Sequence, residues 1–399
     1  MALAKDIVQR QVRRSSPLSA MLELSDRCNE VCVHCYQIHG QKGEMDTLEV
    51  KQLMDQLAEL GVLFLTLSGG EVTLRKDFLE LVAYARAKQF CVTIFTNGLR
   101  VDQSMAKQFA KLAVHEVQIS LYSPDAQKHD TITGVKGSWN KTVDAIRYLV
   151  AEKVSTLVKT PAMKENVHDY ASYVELVESL GARHMVGEGI SAREDGDRAP
   201  SEHDLDHEDI IALRKARGTA AQDRHIPITH APCGACQQSV HIEANGEIRP
   251  CTQLQVPLGD ARQDRLSDVY AEGSEVKFIR SLRWADIHGC RDCDLRHYCK
   301  RCYASALAEN GDALGPYLEA CRKALTEYQL IKNKKFRLVK DGQVLSEAVT
   351  GPFKQRTNEL IECVEDHLMS EDKQLRARHS WITAKPTAQP LLQIGRKTQ

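Results

Sequence analysis

Three cysteines between residues 28 and 35 are the strongest chemical signal in the sequence: Cys28, Cys32 and Cys35. They follow the apolar run 20–24, which predicts a β-strand. Thiolates this close together on a loop can converge on one soft metal centre. A [4Fe–4S] cluster normally takes four cysteines, so three would leave one iron open, and an open metal position permits chemistry. A zinc site completed by His34 or His39 is the alternative.

The elements that position this loop alternate regularly between strand and helix. Strand–helix units recur about six times, at spacings suited to right-handed βαβ crossovers. Six units fall short of the eight of a closed (β/α)8 barrel, so the fold class is α/β with a partial (β/α)6 TIM-like barrel. Residues 62–67 form a continuous apolar run, which predicts a strand buried on both faces. The predicted helices span 46–60, 76–89, 103–112, 138–152 and 167–180, and further strands span 90–95, 116–121, 154–160 and 184–186.

Polar motifs follow several predicted strands, where active sites of such folds gather. The Gly69-Gly70 turn exposes backbone groups and permits a ligand to approach closely, and Glu71 could accept a hydrogen bond from an ammonium group. Asn97 and Ser120 end later strands, although capping a turn explains Asn97 equally well. His129, beside an Asp on a polar segment, is expected to be solvated.

A second field of eight cysteines lies between residues 233 and 321. Eight thiols match two fully ligated [4Fe–4S] clusters or two four-cysteine zinc sites, and spacing alone does not separate iron from zinc. Within this field Asn245-Gly246 predicts a β-hairpin. Cys91 and Cys363 stand apart and are expected to be small buried hydrophobes. The eight are Cys233, Cys236, Cys251, Cys290, Cys293, Cys299, Cys302 and Cys321.

Composition and charge restrict the partners and the cellular compartment that the sequence predicts. The chain has 399 residues and a net charge of −1, so it has no overall attraction to nucleic acid or to an anionic membrane. No apolar run approaches the length of a membrane span. Without a signal-peptide core the protein is expected to be cytoplasmic, where a reducing environment favours metal binding over disulfides for 13 cysteines.

The spacing Cys-x3-Cys-x2-Cys followed by Tyr36 resembles the signature of the radical S-adenosylmethionine (SAM) enzymes. The second cysteine field resembles the SPASM domain that follows many of their barrels. The resemblance implies three [4Fe–4S] clusters, one of which binds SAM through its open iron and two of which are auxiliary. In that family an electron from the cluster cleaves SAM to methionine and a 5′-deoxyadenosyl radical, which abstracts hydrogen from an unreactive C–H bond. The auxiliary clusters then take up an electron or contact the substrate.

The resemblance also assigns roles to individual residues. The predicted SAM-binding residues are Tyr36, Gly69, Gly70, Glu71, Asn97 and Ser120. One auxiliary cluster is implied at Cys233, Cys236, Cys251 and Cys302, and a distal one at Cys290, Cys293, Cys299 and Cys321. The pair Cys299-x2-Cys302 has two intervening residues, where the usual family pattern has three. This departure bears on which cysteines share a cluster more than on the assignment of the domain.

The predicted organisation has five parts. They are an N-terminal tail at 1–18, the barrel at 19–190, a linker or active-site loop at 191–232, the SPASM domain at 233–325, and a C-terminal helical segment with a tail at 326–399. The helix of the last part is predicted from Leu360, Ile361, Val364 and Leu368, which share one helical face.

Most SPASM enzymes act on peptides or proteins, so the resemblance implies a maturase that crosslinks, oxidises or epimerises a ribosomally made peptide. A dehydrogenase of a small metabolite is the alternative. A second alternative is a sulfatase-type maturase. Thr252 argues against this alternative, because sulfatase maturases carry Asp directly after the cysteine that corresponds to Cys251. The first cluster cysteine comes early, so a separate leader-peptide-binding protein is an expected partner, besides the precursor peptide and a flavodoxin- or ferredoxin-type electron donor.

Overall fold

The computed structural model describes residues 16–218, 225–332, 336–340, 343–348 and 382. Within these residues the chain forms two compact units. The first comprises 16–190, 200–205 and 234–280, and the second comprises the remaining described residues. The predicted helix around Leu360, the isolated Cys363 and most of both predicted tails lie outside the described residues.

The first unit is built on a nine-stranded sheet. Its strands are β1 Ser19–Ser25, β2 Phe64–Gly69, β3 Cys91–Thr96, β4 Glu116–Ser120, β5 Thr156–Pro161, β6 Arg183–Gly187, β7 Ser239–Ile242, β8 Glu247–Arg249 and β9 Gly259–Asp260. The order across the sheet is β6-β5-β4-β3-β2-β1-β7-β8-β9. Strands β1 to β6 are parallel neighbours in sequence order, which confirms the partial (β/α)6 barrel.

Helices follow these strands as the sequence pattern predicts. Asp46 begins the first helix with a capping box, in which its carboxylate accepts the Glu49 N–H at 2.8 Å and the Glu49 carboxylate accepts the Asp46 N–H at 2.7 Å. None of the described helices is long and apolar enough to cross a membrane. The α-helices are α1 Thr47–Glu59, α2 Phe78–Ala87, α3 Gln103–Lys111, α4 Ala126–Thr133, α5 Ser138–Ala151, α6 Tyr170–Ser179, α7 His207–Arg217, α8 Leu266–Glu272, α9 Ser274–Ser281, α10 Tyr303–Asn310 and α11 Leu318–Lys332.

The parallel sheet is amphipathic, so the prediction that residues 62–67 are buried on both faces is wrong. Leu65 and Leu67 of β2 are fully buried, whereas Thr66 between them is half-buried and Phe64 is 47% exposed. Each fully buried leucine contributes about 1.5–3 kcal/mol, so the apolar face is fixed in the core. The opposite face stays partly open and is available for a site.

Three features of the fold differ from the sequence expectations or add to them. Helix α4 was not predicted, and it buries His129, whose Nδ1 accepts the Tyr122 N–H at 3.0 Å; the expectation that His129 is solvated is wrong. Helix α7 lies in the predicted linker. The predicted hairpin forms as β7 and β8, and β7 also pairs in parallel with β1, which extends the barrel sheet.

The second unit packs helix against helix. Arg214 of α7 pairs with Glu327 of α11, and both side chains are largely buried, at 12% and 15% exposure. His207 Nδ1 lies 2.7 Å from Thr326 Oγ1 in the same contact. This unit also contains a two-stranded antiparallel sheet of β10 Phe336–Lys340 and β11 Gln343–Ala348.

Candidate active site

The loop that follows β1 brings Cys28, Cys32 and Cys35 close enough for their charges to interact. Burial raises the pKa of Cys28 to about 12 and raises that of Cys32 even further above its usual value, and the nearby Cys35 adds to both shifts. Such thiols stay protonated until a bound cation compensates the thiolate charge. The loop therefore fits a metal centre that supplies that charge.

Two further side chains contact Cys32. Its Sγ lies 3.5 Å from Glu30 Oε2 and 3.9 Å from the Tyr122 hydroxyl oxygen. Burial also raises the pKa of Glu30 to about 8. Neither residue was singled out in the sequence. The signal available for Tyr122 was its position two residues after Ser120, which predicts the same side of an extended chain.

The zinc alternative can be examined on the same loop. His39 Nε2 lies 3.4 Å from Cys35 Sγ, whereas His34 packs edge-on against Tyr122 with ring centroids 4.7 Å apart. Across the described ranges, no three Cys, His, Asp or Glu side chains meet in a way that could hold one metal ion. A four-iron cluster binds each thiolate at a different iron, so it does not require the thiols to meet at one point.

The Gly69-Gly70 turn lies directly against the cysteine loop. A Cβ on Gly69 would lie 2.2 Å from the Ser25 carbonyl oxygen, and one on Gly70 would lie 2.3 Å from the Arg27 carbonyl oxygen. Those same carbonyls accept the N–H groups of Gly70 at 2.7 Å and of Glu71 at 2.8 Å. The sequence predicted close approach by a ligand, but in the structure it is the backbone leading into Cys28 that requires the two glycines.

The carboxylate of Glu71 is completely buried and accepts four hydrogen bonds. Oε1 accepts hydrogen bonds from the Thr73 N–H at 3.0 Å, the Thr73 hydroxyl at 2.6 Å and the Thr96 hydroxyl at 2.8 Å. Oε2 accepts the Asn97 N–H at 2.7 Å. Oε1 thus accepts three hydrogen bonds and Oε2 only one, so Oε2 keeps an acceptor site for the ammonium group expected from the sequence, and that role stays a prediction. The side chain also joins the ends of β2 and β3.

We expect Glu71→Gln to lower the thermal unfolding midpoint of the anaerobically reconstituted protein. The amide leaves one carbonyl oxygen as acceptor and places an NH2 group against one of the present donors. A buried donor left without a partner costs about 1–3 kcal/mol. Glu175→Gln, on an exposed position of α6, is the matched control and should leave the midpoint unchanged. Equal unfolding midpoints for the two variants would contradict the conclusion that Glu71 stabilises the fold by joining the ends of β2 and β3.

The remaining predicted SAM-binding residues lie around the cysteine loop. Asn97 is buried, and its Nδ2 donates to Asn29 Oδ1 at 2.7 Å, one residue after Cys28. Ser120 hydrogen-bonds the Tyr122 hydroxyl and so lies near Cys32. Tyr36, which follows the last cysteine of the loop, is half-buried. These positions are compatible with the predicted roles, which stay predictions.

A cavity of about 300 Å³ opens where β4, β5 and β6 end. Its wall includes His34 from the cysteine loop and Tyr122, which contacts Cys32, so the cavity adjoins the predicted cluster site. Other wall residues are Ser120, Lys159, Met185 and Glu188. Residues 159–163 resemble the family in sequence, but Lys159 was assigned no role, because an isolated lysine at a strand end is usually solvated.

In the second unit, the four cysteines assigned to the distal cluster are close together. The charges of Cys290, Cys293 and Cys299 all act on Cys321, and burial, the largest cause, raises its pKa well above the usual value. Cys299 also packs against two groups of buried apolar residues, one around Leu295 and one around Ala306. The predicted set is therefore brought together within one compact unit.

Arg301 provides a test of whether this group of thiols fits an anionic cluster. Its side chain is buried, and its charge opposes the effect of burial on the pKa of Cys290 and Cys299. Its Nη2 donates to the Ala313 carbonyl at 2.6 Å, and the guanidinium also hydrogen-bonds the Cys290 thiol. A buried guanidinium beside the Cys290 and Cys299 thiols suits a cluster whose thiolate and sulfide atoms carry negative charge.

The other auxiliary set is divided between the two units. Cys236 and Cys251 belong to the first unit, and Cys251 Sγ accepts the Leu254 N–H at 3.4 Å. Cys233 and Cys302 belong to the second. Their assignment to one cluster stays a prediction. Cys91, expected to be buried, is half-buried at the start of β3.

Two family models match the chain. The model described as the radical SAM superfamily matches residues 22–177, and the one described as an iron–sulfur cluster-binding domain, SPASM, matches residues 233–294. The PqqA peptide cyclase of Xanthomonas campestris pv. campestris is 30% identical over 329 residues, which cover 76% of this chain and 87% of that protein. The PqqA peptide cyclase of Methylocella silvestris is 26% identical over 330 residues, with 76% and 88% covered.

Solved structures show the same fold at lower identity. Streptococcus suis SuiB bound to S-adenosylmethionine superposes with a TM-score of 0.65 at 19% identity, covering 80% of this chain and 81% of that one. Native anSMEcpe with bound AdoMet gives a TM-score of 0.64 at 16% identity, covering 79% of this chain and 97% of that one. At these identities the likeness concerns the fold.

Proposed function

We infer that this chain, which belongs to the radical SAM superfamily and carries a SPASM iron–sulfur domain, is a maturase of a ribosomally made peptide. The domains imply a [4Fe–4S] cluster with SAM in the barrel and auxiliary iron–sulfur clusters in the SPASM segment. Similar proteins named as peptide cyclases support a peptide as the substrate class.

One observation carries the proposal: the three thiols at the end of β1 adjoin a cavity on the open face of the sheet. Tyr122 links the two, because it contacts Cys32 and also forms part of the cavity wall. A substrate side chain in this cavity would lie beside the bound SAM, as hydrogen abstraction requires, since reacting atoms must be held about 3–3.5 Å apart.

The residues of this chain would act as follows. Cys28, Cys32 and Cys35 would hold the cluster, which when bound supplies the electron that cleaves SAM to methionine and a 5′-deoxyadenosyl radical. The Gly69-Gly70 turn holds the backbone before Cys28, and Glu71 fixes that turn to Asn97. Ser120 would bind the SAM ribose from the cavity wall.

The auxiliary clusters are proposed at the two sets of four cysteines predicted from the sequence. The arrangement around Cys321 and Arg301 supports the distal set. A flavodoxin- or ferredoxin-type electron donor, a separate leader-peptide-binding protein and a cytoplasmic location are further parts of the proposal.

The function is tested by anaerobic incubation of the reconstituted enzyme with SAM, dithionite and each short peptide encoded beside its gene. We expect one peptide to increase deoxyadenosine formation and to change in mass or chirality, as mass spectrometry and chiral amino-acid analysis detect. Deoxyadenosine formation that responds only to small metabolites would favour the dehydrogenase alternative and overturn the peptide assignment.

A further inference from the structure

Lys159 extends from β5 across the open face of the sheet. Its ammonium nitrogen lies 4.0 Å from the ring centroid of Phe95 on β3, so the side chain spans the intervening strand β4. It also forms part of the wall of the 300 Å³ cavity, together with Ser120 of β4. The cation is therefore held at a defined place on the cavity wall rather than extending freely into solvent.

No carboxylate balances this cation directly. Among the described residues, none forms an ion pair or a hydrogen bond with the ammonium group of Lys159, and its stabilising contact is the face of the Phe95 ring. Burial lowers the pKa of Lys159, as expected where a cation lacks a nearby partner, and the charge of Glu116 opposes this effect. Glu116 is itself paired with Arg183.

The other titratable groups on the wall leave this charge uncompensated. His34 carries no negative charge in either protonation state, so it cannot act as a counter-ion. Glu188 also lines the cavity, but the carboxylate whose charge acts on Lys159 is that of Glu116. A cation that is partly desolvated and has no counter-ion favours a ligand that brings a carboxylate.

We propose that the ammonium group of Lys159 binds a carboxylate of the peptide substrate and so places an acidic residue of that peptide in the cavity. This rests on the proposed peptide-maturase function and defines its substrate class further. Bound SAM also has a carboxylate, but the family resemblance assigns that group to the open iron at the cysteine loop. Lys159 thus acts as a substrate-positioning residue.

The test is isothermal titration calorimetry on the reconstituted, SAM-saturated enzyme without reductant, so that no turnover occurs. The probes are acetyl-Ala-Ala-Glu-Ala-Ala-amide, the same peptide with Gln at the centre, and the Gln peptide with a free C-terminus. A charge-assisted hydrogen bond corresponds to roughly tenfold or more in affinity. We expect the Glu peptide to bind at least about tenfold more tightly than the amidated Gln peptide. A preference for the free C-terminus instead would identify the carboxylate as the terminal one.

Variants separate the charge from the fold. Lys159→Gln should remove the preference for the carboxylate, and Lys159→Arg should keep it. Lys141→Gln, at an exposed position of α5, should behave as wild type. SAM affinity should be the same in all four proteins.

Several results would overturn the proposal. One is equal binding of all peptides by the wild type, or absence of binding. A second is a Lys159→Gln variant that still binds the Glu peptide more tightly than the Gln peptide. A third is a Lys159→Gln variant that binds SAM more weakly, which would assign the ammonium group to the SAM carboxylate. Each differs from failure of the proposed function, in which the wild type modifies no peptide during turnover.

Discussion

Replacing Cys32 by alanine is expected to abolish deoxyadenosine formation while the auxiliary clusters remain. The thiol lies at the centre of the cysteine loop, between Glu30 and Tyr122, and a three-cysteine site has no spare ligand. Iron content should fall by about four atoms per chain, the content of one cluster. The readouts are iron and sulfide analysis and chromatographic detection of deoxyadenosine under dithionite.

Two further variants make this result specific. Cys32→Ser keeps the size of the side chain and should show the same loss, which excludes a cavity in the packing around Tyr122 as the cause. Cys91→Ala, half-buried at the start of β3, should keep all iron and full activity. Undiminished deoxyadenosine production by Cys32→Ala would rule out the assignment of the cluster to this loop.

Gly70→Ala is expected to cause the second large effect, a loss of both stability and barrel iron. The new Cβ would lie 2.3 Å from the Arg27 carbonyl oxygen and 2.7 Å from its carbon, so the backbone before Cys28 must move. Overpacking of this kind costs typically about 1–3 kcal/mol, and here the atoms that must yield are backbone. The measurements are the thermal midpoint and iron content after reconstitution.

Gly137→Ala is the informative comparison. Gly137 has a φ of +81°, but a Cβ there would meet nothing within 4 Å, so this variant carries backbone strain without a clash. We expect it to lower the midpoint modestly and to keep its iron, since the left-handed conformation costs roughly 1–2 kcal/mol. If Gly70→Ala bound iron as fully as Gly137→Ala, the turn would not position the cysteine loop.

Local signals in the sequence predicted most of the barrel. Asp46 followed by Glu49 is a capping box whose partners are three residues apart, so the start of α1 is readable from the chain alone. The strand positions and the cysteine loop are equally local. Residues 62–67 show the limit of this reasoning, because an apolar run does not reveal that Phe64 faces the open side of the sheet.

Contacts between distant residues could not be predicted. Two of the four hydrogen bonds to Glu71, from the Thr96 hydroxyl and the Asn97 N–H, come from residues 25 and 26 positions away and form only in the folded barrel. The pairing of β7 with β1 joins residues more than two hundred positions apart. Arg301, near the Cys290 and Cys299 thiols, carried no sequence signal because its burial beside them becomes visible only in the folded chain.

The most direct test of the central claim is iron, sulfide and zinc content after anaerobic purification, combined with a deoxyadenosine assay under a strong reductant. The account predicts about twelve irons per chain, an equal amount of sulfide and formation of deoxyadenosine, as three [4Fe–4S] clusters require. About four irons with zinc would keep the radical SAM barrel and reject the auxiliary clusters. Zinc without sulfide or deoxyadenosine would contradict the radical SAM mechanism itself.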